Sequence, residues 1–262
     1  MRLGQGVDQT RAFHPDAMRR TLKTLQDYAQ TCIELGVKPA AVRAITTSSA
    51  RDAKNSKQFF ERVKQETGFK FRVISGKEEA RMTFRGALLP GMLSSKTAVI
   101  DIGGGSTELF SSAGGESLDI GSVRFTERYL RSDPVSDPEF WACEKAVDDQ
   151  IQGLIKRGFK RGSRELVGVA GTVTTLATWF LDLSTWDAAK VDGTELYVGD
   201  VHRMVEELKW RTVEERKALT GIESGRADVL LAGAMILWRA MEILGFPKVT
   251  VSTRGLRFGA LF

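Results

Sequence analysis

The chain has 262 residues, 42% hydrophobic and 27% charged, with a net charge of +5, which is enough apolar content for one large or two moderate globular domains. Two cysteines exclude a disulfide framework, and no apolar run approaches the roughly 20 residues of a membrane span. The charge is uneven: residues 1–95 carry 17 Lys and Arg against 9 Asp and Glu, a net of +8, which suits a polyanionic ligand as well as an ordinary solvated surface.

Pro15 and Asp16 open a helix predicted over 15–35, with Met18, Leu22, Leu25, Ala29 and Cys32 at helical spacing and Gly36 as its stop. Cys32 on that apolar stripe, and Cys143 further on, are expected as buried free thiols in a reducing, cytoplasmic setting. Val42 to Thr47 reads as a short strand. Asn55 and Gln58 are placed as a capping box for a helix over 56–67, which Gly68 ends. Phe71 to Ile74 is the next strand, breaking at Ser75-Gly76 into a helix that begins near Lys77. This alternation predicts an α/β lobe over 1–95, with Leu89 to Ser95 as the linker to a second domain over 96–262.

The second domain opens with a strand over 97–102 that enters a glycine turn. Short strands over 108–111 and 117–120 follow, around the turn Ala113-Gly114-Gly115-Glu116. A helix is expected around 140–157, a strand over 166–170, a helix after Gly171-Thr172-Val173-Thr174-Thr175, a helix over 226–244 and a strand over 249–252.

Four groups could carry chemistry. In Asp101-Ile102-Gly103-Gly104-Gly105-Ser106-Thr107-Glu108, three glycines let backbone N–H groups close around an anion while carboxylates on either side hold a cation. A Walker loop would need Lys after its last Gly, and a dinucleotide fingerprint would need Gly where Glu108 stands, so both are excluded; a plain hairpin turn is not. Asp101 suits a hard cation such as Mg²⁺, with Ser106 and the loop N–H groups on phosphate. Gly171-Thr172 is a second anion candidate at a helix N-terminus, though ordinary capping would use the same residues. In Gly76-Lys77-Glu78-Glu79-Ala80-Arg81 either carboxylate could activate water, or both could serve only the helix dipole. Arg51, in Ser48-Ser49-Ala50-Arg51-Asp52-Ala53, could clamp a phosphoryl group or make a surface ion pair. No helix-turn-helix, zinc-finger or ribonucleoprotein pattern accompanies the basic charge, so nucleic acid is not expected as a partner, nor is a membrane.

These residues resemble the exopolyphosphatase and guanosine pentaphosphate phosphatase family. The resemblance is carried by Ile74 to Arg81 and Val99 to Leu109, and continues in order through Arg2 to Val7, Ser49 to Ala53, Gly121 to Arg124, Gly168 to Thr172, Arg226 to Asp228 and Gly255 to Arg257. It implies the actin, sugar-kinase and heat-shock-protein fold, with two ribonuclease H-like α/β lobes, and release of terminal phosphate from polyphosphate or guanosine pentaphosphate with Mg²⁺ or another divalent cation. Glu79 then becomes the water-activating carboxylate and Arg51 a phosphate contact. Asp101 and Glu108 become metal-site carboxylates, Gly103, Gly104, Gly105, Ser106 and Thr107 the phosphate loop, and Gly171 and Thr172 a second phosphate contact. A homodimer is also implied.

Two departures stand out. Family members carry a strand and a first phosphate loop ahead of the segment that here starts at Arg2, so the resemblance implies a first lobe incomplete at its N-terminus and weak or no turnover. Phe258 stands where the family often has Glu. A polyphosphate- or alarmone-binding protein without turnover, and a phosphotransferase of the same fold, are the alternative readings.

Overall fold

The computed structural model describes residues 2–159 and 165–261. The chain divides into two compact units, one ending at Gly76 and the other beginning at Lys77.

The first unit contains α1 (Val7–Thr10), α2 (Pro15–Glu34), β1 (Ala44–Thr46), α3 (Ser48–Asp52), α4 (Ser56–Thr67) and β2 (Phe71–Val73). β1 and β2 pair in parallel, Ala44 opposite Phe71, as the only strands among the described residues of this unit. Leu22, Leu25 and Ala29 on one side of α2 pack with Phe59, Phe60 and Val63 of α4 and with Phe13 and Phe69. His14 caps α2, its Nδ1 accepting from the Asp16 N–H.

Two expectations change here. Asn55 precedes α4 but makes no side-chain cap. Its amide instead bonds both ways to the backbone of Phe13, accepting from the N–H at 2.8 Å and donating to the carbonyl at 3.0 Å, and so ties α4 to the entry of α2. Cys32 is only half-buried, near the C-terminal end of α2, where the apolar stripe runs out into solvent.

The second unit runs through α5 (Gly76–Ala87), β3 (Thr97–Ile102), β4 (Thr107–Ser111), β5 (Gly114–Leu118), α6 (Ser122–Tyr129), α7 (Asp137–Lys156), β6 (Glu165–Val169), α8 (Ala170–Phe180), α9 (Ala188–Val191), β7 (Glu195–Tyr197), α10 (Val198–Trp210), α11 (Val213–Lys217), α12 (Leu230–Leu244), β8 (Lys248–Val251) and α13 (Leu256–Gly259). Its sheet has the order β5-β4-β3-β6-β8-β7, with β3, β6 and β8 parallel and the other three strands antiparallel to their neighbours. A meander on one side of a parallel core is the ribonuclease H-like pattern, and it is held by helices on both faces.

Strand alternation assigns those faces. Ala98, Ile100 and Ile102 of β3 and Leu109 of β4 enter the main core with α7, α8, α10 and α12, whose apolar Met235, Ile236 and Leu237 are fully buried. The intervening residues face the other way, where Val99, Val167 and Val169 pack with Ala87 and Phe84 of α5. α5 therefore packs with this sheet, and the division of the chain falls at Gly76, earlier than the linker read at Leu89 to Ser95. The hairpin between β4 and β5 is also tighter than read: Gly114 and Gly115 belong to β5, and a Cβ on Gly115 would lie 2.2 Å from the Leu109 carbonyl oxygen. The helix read over 226–244 begins only at Leu230, leaving Arg226 in a turn. α6, α9, β7, α10, α11 and α13 are further elements that the sequence pattern does not single out.

Candidate active site

Asp101 is the penultimate residue of β3, on the face that α5 covers. Glu79 and Thr83 lie one turn apart on the buried side of α5, 6% and 1% exposed. The Thr83 hydroxyl donates to Asp101 Oδ2 at 3.3 Å. Glu78, which spacing alone could not separate from Glu79, is only half-buried, whereas Glu79 shares a cavity with Asp101.

Glu108 on β4 stands directly opposite Asp101. It is 2% exposed and accepts from the Ser117 hydroxyl at 2.6 Å, and the Ser106 hydroxyl also bonds to it. Burial first, then the Glu79 charge, raise Asp101 to about 7, opposed by Thr83. Burial, then the charges of Glu79 and Asp101, raise Glu108 to about 8, opposed by the two serine hydroxyls. Three buried carboxylates thus bear on one another.

The glycine loop is pinned by its carbonyls. Gly103 accepts from the Ser122 N–H, Gly104 from the N–H groups of Val123 and Arg124, and Gly105 from Arg124 Nε at 2.7 Å. The start of α6 can approach this closely because Gly121 has no side chain; a Cβ there would lie 2.4 Å from the Gly104 oxygen. The Gly103 N–H closes the turn onto the Ser106 carbonyl, while those of Gly104 and Gly105 have no acceptor among the described residues. Such groups can take an anion.

β6 runs parallel to β3 with Val169 beside Asp101, so α8 starts at the same end of the sheet. Ala170, the first residue of α8, has φ +68°, a strained value for a residue with a side chain. Gly171, Thr174 and Thr175 of α8 line a cavity of about 600 Å³ together with Glu79, Asp101 and Arg226. A Cβ on Gly171 would lie 1.5 Å from Arg226 Nη1, so the missing side chain is what lets the guanidinium lie on the helix N-terminus. Arg226 Nε is held by Glu223 Oε2 at 2.8 Å. Arg254, Arg257 and the half-exposed Trp186 also line this cavity.

The structure gathers Glu79, Asp101, Glu108 and Gly171 in one region of the second unit. Two hydroxyls expected at phosphate are engaged elsewhere. Thr107 donates to the Ile120 carbonyl at 2.7 Å, because strand alternation turns it away from Glu108, and Thr172 donates to the Ile102 carbonyl at 3.4 Å against Gly233. Ser106 is buried and turned toward Glu108. Arg51 belongs to the first unit, on α3, where its Nη1 donates to the Ile74 carbonyl at 2.8 Å and its side chain is exposed. Thr83, Arg254 and the pairing of Arg226 with Gly171 had no role in the sequence reading; Arg226 and Arg257 lay in matched segments, but spacing carries no sign of what a side chain faces.

Among the described residues no group of three or more His, Cys, Asp or Glu side chains is arranged to enclose a metal ion. The donor chemistry nevertheless fits a partly hydrated hard cation, which is usually held by one or two carboxylates: Asp101 reaches the cavity, Glu108 stands behind it, and both resist ionising without a compensating charge. No helix among the described residues is long and apolar enough to cross a membrane.

Comparison with known proteins extends these findings. The Ppx/GppA phosphatase family matches residues 1–262. Exopolyphosphatase 2 of Mycobacterium tuberculosis is 35% identical over 275 residues, covering 99% of this chain and 85% of that protein. The crystal structure of an exopolyphosphatase from Cytophaga hutchinsonii superposes with a TM-score of 0.87 at 27% identity, over 99% of this chain and 85% of that one. The Aquifex aeolicus Ppx/GppA family member gives 0.76 at 30% identity, over 99% and 84%.

Proposed function

The chain belongs to the Ppx/GppA phosphatase family and is a phosphoanhydride hydrolase, and from that premise we propose that it releases terminal orthophosphate from inorganic polyphosphate by attack of a water that Glu79 orients. The observation that carries this is the meeting of a buried base, a helix N-terminus and three arginines in one cavity.

The terminal phosphoryl group lies at the start of α8, where free N–H groups and the Arg226 guanidinium take its oxygens. The N–H groups of Gly104 and Gly105 form the second cradle. Glu79 accepts the proton of the attacking water as the water oxygen bonds to phosphorus; the anhydride P–O bond breaks, and the shortened chain departs with that electron pair. Asp101, with Glu108 behind it, would hold a divalent cation such as Mg²⁺, which supplies neutralising charge to the phosphoryl oxygens. Gly171 and Thr172 act through backbone N–H, since the Thr172 hydroxyl is occupied.

A second substrate, the 5′ γ-phosphate of guanosine pentaphosphate, is favoured by Trp186, whose half-exposed indole in the cavity offers a face to a base. The free thiols Cys32 and Cys143 support a cytoplasmic setting. The implied homodimer would sediment at twice the chain mass.

Phosphate release from polyphosphate with Mg²⁺ tests the reading. Glu79→Gln is expected to lower kcat by about 10²- to 10⁴-fold while polyphosphate binding persists. Undiminished release would remove Glu79 as the base, and binding without any release by the unaltered chain would favour a sensor.

A further inference from the structure

The three arginines of the cavity are not held alike. Arg226 is paired with Glu223, whereas Arg254 and Arg257 make no ion pair among the described residues. Both instead lie over one aromatic ring: their guanidinium carbons stand 5.8 and 5.9 Å from the Phe258 centroid. Phe258 is 41% exposed and outside the apolar cores, so burial does not account for it.

The backbone beneath this ring is tightly placed. A Cβ on Gly259 would lie 1.7 Å from the Met82 carbonyl oxygen, and one on Gly86 would lie 2.1 Å from that of Gly255, so α5 and α13 meet backbone to backbone. The Arg257 guanidinium also reaches the Thr253 carbonyl. A carboxylate at position 258 would draw the same two guanidinium groups and cancel their charge. A ring restrains them and leaves both charges intact.

We propose that Phe258 is a positioning residue that sets specificity: it holds Arg254 and Arg257 along the cavity as an uncompensated cation pair that takes the phosphates following the terminal one on a polyanionic chain. The inference rests on the polyphosphate reading for its substrate, and it predicts binding independently of turnover. Phe258 touches no reacting atom, so its effect falls on affinity and KM and leaves kcat in place.

Calorimetric binding of tripolyphosphate in chelator, alongside kcat and KM for polyphosphate with Mg²⁺, tests it on Phe258→Tyr, Phe258→Leu and Phe258→Glu. Phe258→Tyr, which keeps the ring, is expected to bind within about twofold of the unaltered chain, showing also that the position tolerates change. Phe258→Leu should weaken binding about threefold, and Phe258→Glu about tenfold or more with a shallower salt dependence, kcat staying within about twofold in each. Equal affinity across the series, or wild-type affinity in Phe258→Leu, overturns the proposal, as does a loss confined to kcat. If the unaltered chain releases no orthophosphate but the binding order holds, the hydrolase reading fails and this inference stands.

Discussion

Asp101 and Glu108 occupy directly opposed positions on the β3–β4 ladder, two carboxylates on one face of a sheet with a third, Glu79, bearing on both. Like charges so placed are destabilising unless one proton or one cation intervenes.

The pH dependence of stability follows from that pair. Their folded pKa values, about 7 and about 8, lie above the ordinary 3.8 and 4.5. The favourable contribution is therefore complete below about pH 4 and is lost as pH rises through 7 and 8. In chelator, Tm should fall from pH 5 to pH 8.5, Asp101→Asn should flatten the fall, and Mg²⁺ should restore Tm at the alkaline end of the unaltered chain. A Tm independent of pH across this range would contradict the pair.

Two glycine substitutions should part company. In Gly259→Ala the new methyl meets the backbone oxygen of Met82, which cannot move without shifting α5, so a loss of about 1–3 kcal/mol is expected in thermal or urea unfolding. In Gly171→Ala it meets only the end of the Arg226 side chain, which can swing aside. The variant should keep its Tm within a few degrees and bind tripolyphosphate several-fold more weakly.

The start of α7 should be acid-sensitive. Glu139 accepts from the N–H groups and hydroxyls of Ser132 and Ser136, and hydrogen bonding, the Ser132 hydroxyl foremost, lowers it to about 2. Its contribution is present above about pH 4.5 and disappears as pH falls toward 2. Glu139→Gln should lower Tm at pH 7 and have little effect near pH 2; Ser136→Ala should cost about 1 kcal/mol.

The two thiols should differ in reactivity. Burial, and next the Glu144 charge, push Cys143 up to about 12, and it is fully buried in the main core, whereas Cys32 is half-exposed. Iodoacetamide at pH 8 should label Cys32 in the native protein and Cys143 only on unfolding, as read by mass spectrometry. Native labelling of Cys143 at the rate of a free thiol would contradict its placement.

Periodicity and punctuation made much of this chain legible. The helices over 56–67 and near 15–34, the strand over 97–102 and the turn rich in glycine after it all follow from local rules, because spacing and capping act within a few residues. Asp101 and Gly171 could be singled out for the same reason: a carboxylate before three glycines and a glycine at a helix start carry their chemistry in the local backbone. Tertiary structure decided what those residues face. Spacing alone could not separate Glu79 from Glu78; the family resemblance chose Glu79, and the packing of α5 over the Asp101 face of the sheet gives the physical reason. Asn55 bonds to a backbone 42 residues away instead of capping its own helix, and Thr107 and Thr172 give their hydroxyls to distant carbonyls. Arg226 lies on Gly171, and Arg254 and Arg257 on Phe258, through proximity that no short-range pattern records. Hydrogen bonds and charges act over a few ångströms in space whatever the separation along the chain, so the sequence names the chemistry, and the packing of α5 and α8 on the sheet, with α13 against α5, brings it together.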